Sequence, residues 1–338
     1  MMFYLQTGSQ AVDLTVNILI FIAGTAILVK GSDLFIDSAA DIARIWGASE
    51  IVIGLTLVSI GTSLPELASS AYAAFQQQGE FIIGNIVGSN VTNISLILAI
   101  GVIGAKTIPF ERKLLSRDGM VMLLVYLICA LLFAIPLNGP VGKNLHGIDF
   151  RGGIVLLVCC AGYMYLLFKQ KRNVPEQSAQ GRNGALIVGK MFLLLLGICM
   201  ITVGSKGMVD PVVWAAQKMG VSMLVISSTI VAFGTSVPEL AVTIAGIVKD
   251  KQDIALGNII GSNIFNILLI FGVSACISPL PLNTRGIGLF NLAAMGVTGV
   301  VLLLFMATGK SALKRWHGLV LLLFYAVFMA CNVFSAVG

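Results

Sequence analysis

Two glutamates stand where a charge is least welcome. Glu66 lies deep in the apolar run 51–79 and Glu239 deep in the run 219–248, and neither run contains Lys or Arg. A carboxylate at the centre of a membrane helix costs roughly 2.5–3.5 kcal/mol on insertion scales, so it is kept only beside a partner or a cavity. A bound cation, a proton or water must supply what no basic side chain does. Thr62 and Ser63 stand four and three residues before Glu66, and Thr235 and Ser236 stand likewise before Glu239, which places hydroxyls and carboxylate on one helical face. Pro65 and Pro238 lack an amide hydrogen and free carbonyls near Gly61 and Gly234. In the following runs Asn85, Ser89 and Asn93 recur every four residues, as do Asn258, Ser262 and Asn266. Carboxylate, hydroxyl, amide and backbone oxygens, with no sulfur or imidazole, are the ligand set of hard cations such as Ca²⁺ and Na⁺.

The elements that must position these groups follow from composition. The chain of 338 residues is 57% hydrophobic and 11% charged, against roughly 25% charged in an ordinary soluble domain. That excludes a soluble globule. Breaking the sequence at charges and turn residues gives apolar segments at 14–29, 51–79, 81–105, 119–137, 152–168, 185–205, 219–248, 254–280, 286–308 and 317–336. At about 20 residues per span these predict ten membrane helices and an all-α membrane protein. Of the Lys and Arg residues, 16 fall in or beside one set of alternate connections and 5 in the other. The excess marks the cytoplasmic face, so both termini are expected outside, with the plasma (inner) membrane as location. Residues 170–184 form a basic, Pro-containing cytoplasmic linker between a first five-helix unit, 1–169, and a second, 185–338.

The two units repeat each other. A shift of 173 residues lays 61–68 (GTSLPELA) on 234–241 (GTSVPELA) with seven of eight identical, and 84–94 (GNIVGSNVTNI) on 257–267 (GNIIGSNIFNI) with eight of eleven. The matches are Gly, Thr, Ser, Pro, Glu and Asn, which apolar composition alone does not produce. Five spans separate equivalent helices, an odd number, so the second half enters the membrane upside down. Such inverted-topology repeats usually place a binding site at the midplane between the halves. Gly-x-x-x-Gly at 84–88 and 257–261 fits close helix packing, and Asn90 and Asn263 fit helix-to-helix adhesion as well as they fit a site.

Other classes find little support. The net charge of +6 is spread between apolar runs rather than clustered, so it reports topology and not a nucleic-acid partner. The six cysteines lie in apolar stretches without C-x-x-C spacing and read as small core residues. Neither H-E-x-x-H nor G-x-S-x-G occurs, and His146 and His317 are expected at helix ends in structural roles, so the chain does not read as an enzyme. The opening MMFYLQTGSQ has no basic stretch ahead of the first apolar run, which argues against a cleaved signal peptide. No cofactor and no protein partner are implied; the expected partners are lipid and inorganic cations.

The paired G-T-S-x-P-E and G-N-x-x-G-S-N-x-x-N motifs resemble the α-repeats of the sodium/calcium exchanger family, within the cation/calcium exchanger superfamily. The resemblance covers the whole chain and suits a compact prokaryotic-type member, with no room for the large calcium-sensing loop of animal exchangers. It implies that Glu66 and Glu239 are central ligands shared between calcium and sodium. Thr62, Ser63, Thr235, Ser236, Ser89 and Ser262 would add oxygens, and the carbonyls of Ser59 and Ala232 would complete outlying sodium sites. Asn93 matches an Asn of the family. Asn266 departs from it, since many members carry Asp there, and so removes a third carboxylate. The family also implies that the long first and sixth helices slide across a static core, with Gly24, Gly31, Gly197 and Gly204 permitting close packing.

Charge counting then gives a mechanism. Two ionised carboxylates carry −2, which one Ca²⁺ or two monovalent ions neutralise. An empty, doubly charged site is costly to move through a low-dielectric barrier, so only the filled carrier turns over, and that is antiport. A proton-coupled calcium antiporter is the alternative reading, and a passive cation channel a weaker one.

Overall fold

The computed structural model describes residues 10–46, 49–112, 114–137, 146–169, 184–218, 232–282, 287–309 and 311–337. Apolar sequence without water to satisfy its backbone folds as helix, and the described residues are overwhelmingly helical. Among the described residues eight helices are long and apolar enough to cross a membrane, and the bent pair Ile51–Thr62 with Leu64–Phe75 makes a ninth. Val237–Val248 is a shorter apolar helix. The first part of its expected segment, 219–231, and nearly all of the linker, 170–183, lie outside the described residues.

Three expectations need correction. The first and sixth helices are not confined to 14–29 and 185–205; they run Gln10–Trp46 and Gly184–Lys218, 37 and 35 residues. At 1.5 Å per residue each is over 50 Å long, against a hydrocarbon core of about 30 Å, so each must tilt strongly or project. Charges that looked like terminators are instead paired: Lys249 reaches Asp33 at 3.2 Å and Asp37 at 2.8 Å, and Lys190 reaches Asp41 at 2.6 Å. The second correction concerns the run 51–79, which is not one helix. It divides into Glu50–Ile53, a π-helical turn Gly54–Val58, Ser59–Thr62 and Leu64–Phe75, with a 46° bend at the break. Third, His146 is not at a helix end: within the all-α fold two short antiparallel ribbons join connections, Thr107–Pro109 on Ala312–Lys314 and His146–Ile148 on Leu280–Leu282. His146 accordingly sits in a strand, while His317 is near the start of the last helix, where its Nδ1 accepts from the Lys314 amide at 2.9 Å.

The 173-residue shift that aligns the motifs also aligns the elements. Leu64–Phe75 and Val237–Val248 are both 12 residues long. Gly79–Thr92 and Gln252–Phe265 are both 14 and both pass into six-residue π-helical segments, Asn93–Leu98 and Asn266–Phe271. Gln77 and Asp250, also 173 apart, both take a positive φ, at 58° and 55°.

Burial sorts the layers. The runs Phe81–Ala105 and Gln252–Ile277 are 78% and 83% buried over their most apolar windows, against 22% for the first and sixth helices, so the former two form the centre. The two long helices pack on each other at glycine: a methyl group at Gly31 would lie 2.7 Å from Met200 Cβ, and one at Gly204 would lie 2.8 Å from the Gly24 carbonyl. Large apolar side chains such as Leu19, Leu131, Tyr165, Phe192 and Leu323 stay exposed on the outside, as a lipid-facing surface requires.

Candidate cation site

Local sequence places each carboxylate at the start of a helix. The chain leaves helical geometry at Ser63 (φ −86°, ψ 7°) and Ser236 (φ −91°, ψ 5°), and new helices begin at Leu64 and Val237 with Pro65 and Pro238 in the first turn. Proline is well placed there, because amides of the first turn have no helical partner anyway. Glu66 and Glu239 therefore occupy first turns, where the helix dipole favours negative charge.

Both carboxylates are buried, at 1% exposure each. The halves interlock around them. Ser63, from the first glutamate's segment, donates to Glu239 Oε1 at 2.9 Å. Thr62 donates to Asn258 Oδ1 at 3.1 Å, and its repeat counterpart Thr235 donates to Asn85 Oδ1 at 3.3 Å, so the same bond recurs in both directions between the halves. Asp33, Asp37, Asp41 and Asp118 enter ion pairs, whereas among the described residues neither glutamate does. Asp118 shows the contrast: equally buried, it is held by Arg117 at 2.7 Å and by the Tyr163 hydroxyl at 3.3 Å.

Among the described residues eight buried side-chain oxygens have no protein hydrogen-bond partner, and six of them belong to the motif residues of the two repeats: Glu66 Oε2, Ser89 Oγ, Asn93 Oδ1, Ser236 Oγ, Glu239 Oε2 and Asn266 Oδ1. Buried polar atoms are paired in the great majority of cases, so this many unpartnered oxygens on the two repeated motifs ask for a ligand. Among the described residues no group of three or more His, Cys, Asp or Glu forms a metal cluster, so the set remains two acids with neutral oxygens. Ser262 is buried beside these groups, with its Oγ 3.5 Å from Asn258 Oδ1. The Ser59 carbonyl accepts from the Ser63 amide at 3.1 Å and from Thr62 Oγ1 at 3.3 Å. Ala232 opens the short helix Ala232–Thr235.

Several contributors escape the motif reading. Ser59 is expected for its carbonyl, yet its hydroxyl lies 2.6 Å from the Gly54 carbonyl, 3.1 Å from that of Asn258 and 3.3 Å from that of Gly257, clasping the broken helix to the opposite half. Thr243 Oγ1 accepts from Asn258 Nδ2 at 3.3 Å. Its repeat equivalent Ser70 is fully buried with an unpartnered hydroxyl. Both stand four residues after a glutamate, a helical spacing that carried the signal. Tyr126, which donates to Asn263 Oδ1 at 2.6 Å, had none. The π-helical segments begin at Asn93 and Asn266 themselves, the kind of widened turn that recurs at functional sites.

Long apolar helices around two buried acids, with unpartnered hydroxyl and amide oxygens from both repeats, describe an integral membrane protein that handles inorganic cations. The chain belongs to the sodium/calcium exchanger family: the family model described as sodium/calcium exchanger protein matches residues 16–169 and 190–334. It is 36% identical to the sodium/calcium exchanger MaX1 of Methanosarcina acetivorans, over 94% of this chain and 98% of that protein. It is 33% identical to the inner membrane protein YrbG of Escherichia coli, over 77% of this chain and 79% of that one. Among solved structures, the sodium-calcium exchanger NCX_Mj soaked with 10 mM Na⁺ and zero Ca²⁺ superposes with a TM-score of 0.80 at 30% identity, covering 94% of this chain and 99% of that one.

Proposed function

We propose that the chain is a secondary active antiporter of the plasma membrane that exchanges Ca²⁺ for Na⁺ by alternating access. Its ten spans form two inverted five-helix repeats, with both termini outside and the basic linker in the cytoplasm. Glu66 and Glu239 are the central ligands, and Thr62, Ser63, Ser89, Asn93, Thr235, Ser236, Ser262 and Asn266, with the carbonyls of Ser59 and Ala232, complete the coordination. The observation that carries this reading is the set of six unpartnered buried oxygens, shared between the halves and including one from each glutamate. Glycine contacts between the two long helices support their movement as a unit across the central layer.

Calcium uptake by proteoliposomes under separately imposed gradients tests the coupling ion. An outward sodium gradient at equal pH is expected to drive uptake, and an outward proton gradient without sodium is expected to be ineffective. The opposite pattern identifies a proton-coupled antiporter, and uptake without counter-ion identifies a channel.

Ser63 offers a finer test, since its hydroxyl both holds Glu239 and belongs to the proposed coordination. A hydrogen bond to a charged group contributes roughly 1.5–3 kcal/mol, which predicts for Ser63→Ala at least a tenfold rise in the calcium concentration for half-maximal uptake. An unchanged value would remove Ser63 from the site.

A further inference from the structure

The structure assigns to Asn90 the role of a positioning residue that turns the oxygen of Asn266 toward the cation site, an assignment that rests on the site reading above. An amide side chain has two unlike ends, one that only donates and one that only accepts, so its orientation is decided by its neighbours. Asn90 and Asn263 are fully buried and Asn266 nearly so, which leaves bulk water no part in that choice.

The chain of constraints starts at a group that cannot be reversed. Asn90 Nδ2 lies 3.2 Å from the backbone carbonyl of Asn263 and 3.5 Å from Met295 Sδ, both acceptors. The amide nitrogen must therefore point that way, and Asn90 Oδ1 must point the other. There it meets Asn266 Nδ2 at 2.9 Å, which forces Asn266 to spend its own donor end on Asn90. What remains of Asn266 is Oδ1, buried without a protein partner and so presented as a ligand. Reversed, Asn266 would aim an NH₂ group at a cation and repel it.

The arrangement is not shared by the repeat. Asn263, the counterpart of Asn90, gives its Nδ2 to the Ile259 carbonyl at 2.7 Å and takes the Tyr126 hydroxyl on its Oδ1 at 2.6 Å. The counterpart of Tyr126 is Gly299, where a methyl group would lie 3.0 Å from the Tyr126 ring. One half thus holds its asparagine with a phenol, while the other uses it to orient a site residue. Tyr126 keeps the Asn263 segment, and with it the carbonyl that begins the chain, in place.

The test measures half-saturating calcium for uptake by the full-length chain in proteoliposomes. Asn90→Leu removes the hydrogen bonds while keeping the branched, four-heavy-atom shape of the side chain. Loss of such supporting partners typically costs about 10–100-fold in metal affinity, and a rise of that order is expected here. Asn90→Ala, in which water can enter the space, serves where Asn90→Leu is not recovered as folded protein. The decisive variant adds Asn266→Asp. An ionised carboxylate offers oxygen whichever way it turns, so Asn90→Leu on the Asn266→Asp background is expected to shift half-saturation less than about threefold relative to Asn266→Asp alone, a non-additivity that a merely structural Asn90 would not produce. Unchanged half-saturation in Asn90→Leu and Asn90→Ala, or a full loss that persists on the Asn266→Asp background, overturns the assignment. Glu66→Gln run in parallel separates the two levels: if it retains uptake, the site reading fails, whatever Asn90 does.

Discussion

Replacing Glu66 or Glu239 by Gln is expected to abolish calcium uptake in reconstituted vesicles while leaving a folded protein. The amide keeps the shape and one oxygen but removes one of the two charges available to a bound cation. Two unit charges about 4 Å apart interact by about 4 kcal/mol at an effective dielectric near 20, so losing one carboxylate weakens a divalent ion by at least about a thousandfold. Folding survives because a neutral group is cheaper to bury than the charge it replaces. Because each repeat supplies one acid, the two variants are expected to fail alike, and the double variant is expected to be no worse than dead. Initial rates of calcium uptake, with monodispersity in detergent as the folding control, give the answer. Near-normal exchange in either single variant would remove the carboxylate pair from the mechanism.

A large structural effect is expected at Gly257. It faces Gly54 where the first broken helix crosses the central helix of the other half, and a methyl group there would lie 2.9 Å from the Ile51 carbonyl, 3.0 Å from Gly54 Cα and 3.0 Å from the Leu55 nitrogen. All three are backbone atoms that no rotamer change can move. Gly257→Val must push the helices apart, at a cost of about 3 kcal/mol or more. It also pulls Ser59 from the carbonyls it reaches and so displaces Thr62 and Ser63. A lower melting temperature and lost exchange are expected together. Gly162, exposed on Phe150–Phe168 with no neighbour within 4 Å of an added methyl group among the described residues, is the control, and Gly162→Ala is expected to leave both quantities unchanged. Equal melting temperatures for the two variants would show that the crossing is looser than its geometry implies.

Which parts of this were legible in advance depends on how far a residue's meaning is local. Glu66 and Glu239 announce themselves because a carboxylate in an apolar run is expensive wherever it occurs, and the 173-residue repeat of Gly, Pro, Asn and Glu survives any folding. The true length of the first helix was not legible. Asp33, Asp37 and Asp41 look like a boundary until Lys249 and Lys190, more than 140 residues away, arrive to pair with them. The π-helical turns at Asn93 and Asn266 left no composition signal either, since they respond to packing against the opposite half rather than to any residue within them.

The sequence by itself determined that this is a membrane protein with two related halves, an acid deep in an apolar run of each, and hydroxyl and amide residues spaced around it. Those conclusions rest on transfer energies and spacing, which are properties of residue types and of a single helix. Only the tertiary structure decided which hydroxyl holds which carboxylate, how closely Gly54 approaches Gly257, and that the Tyr126 hydroxyl reaches Asn263. It alone decided which end of the Asn266 amide is left over. Hydrogen-bond direction is set by the partner, and here the partners come from helices that chain order keeps apart.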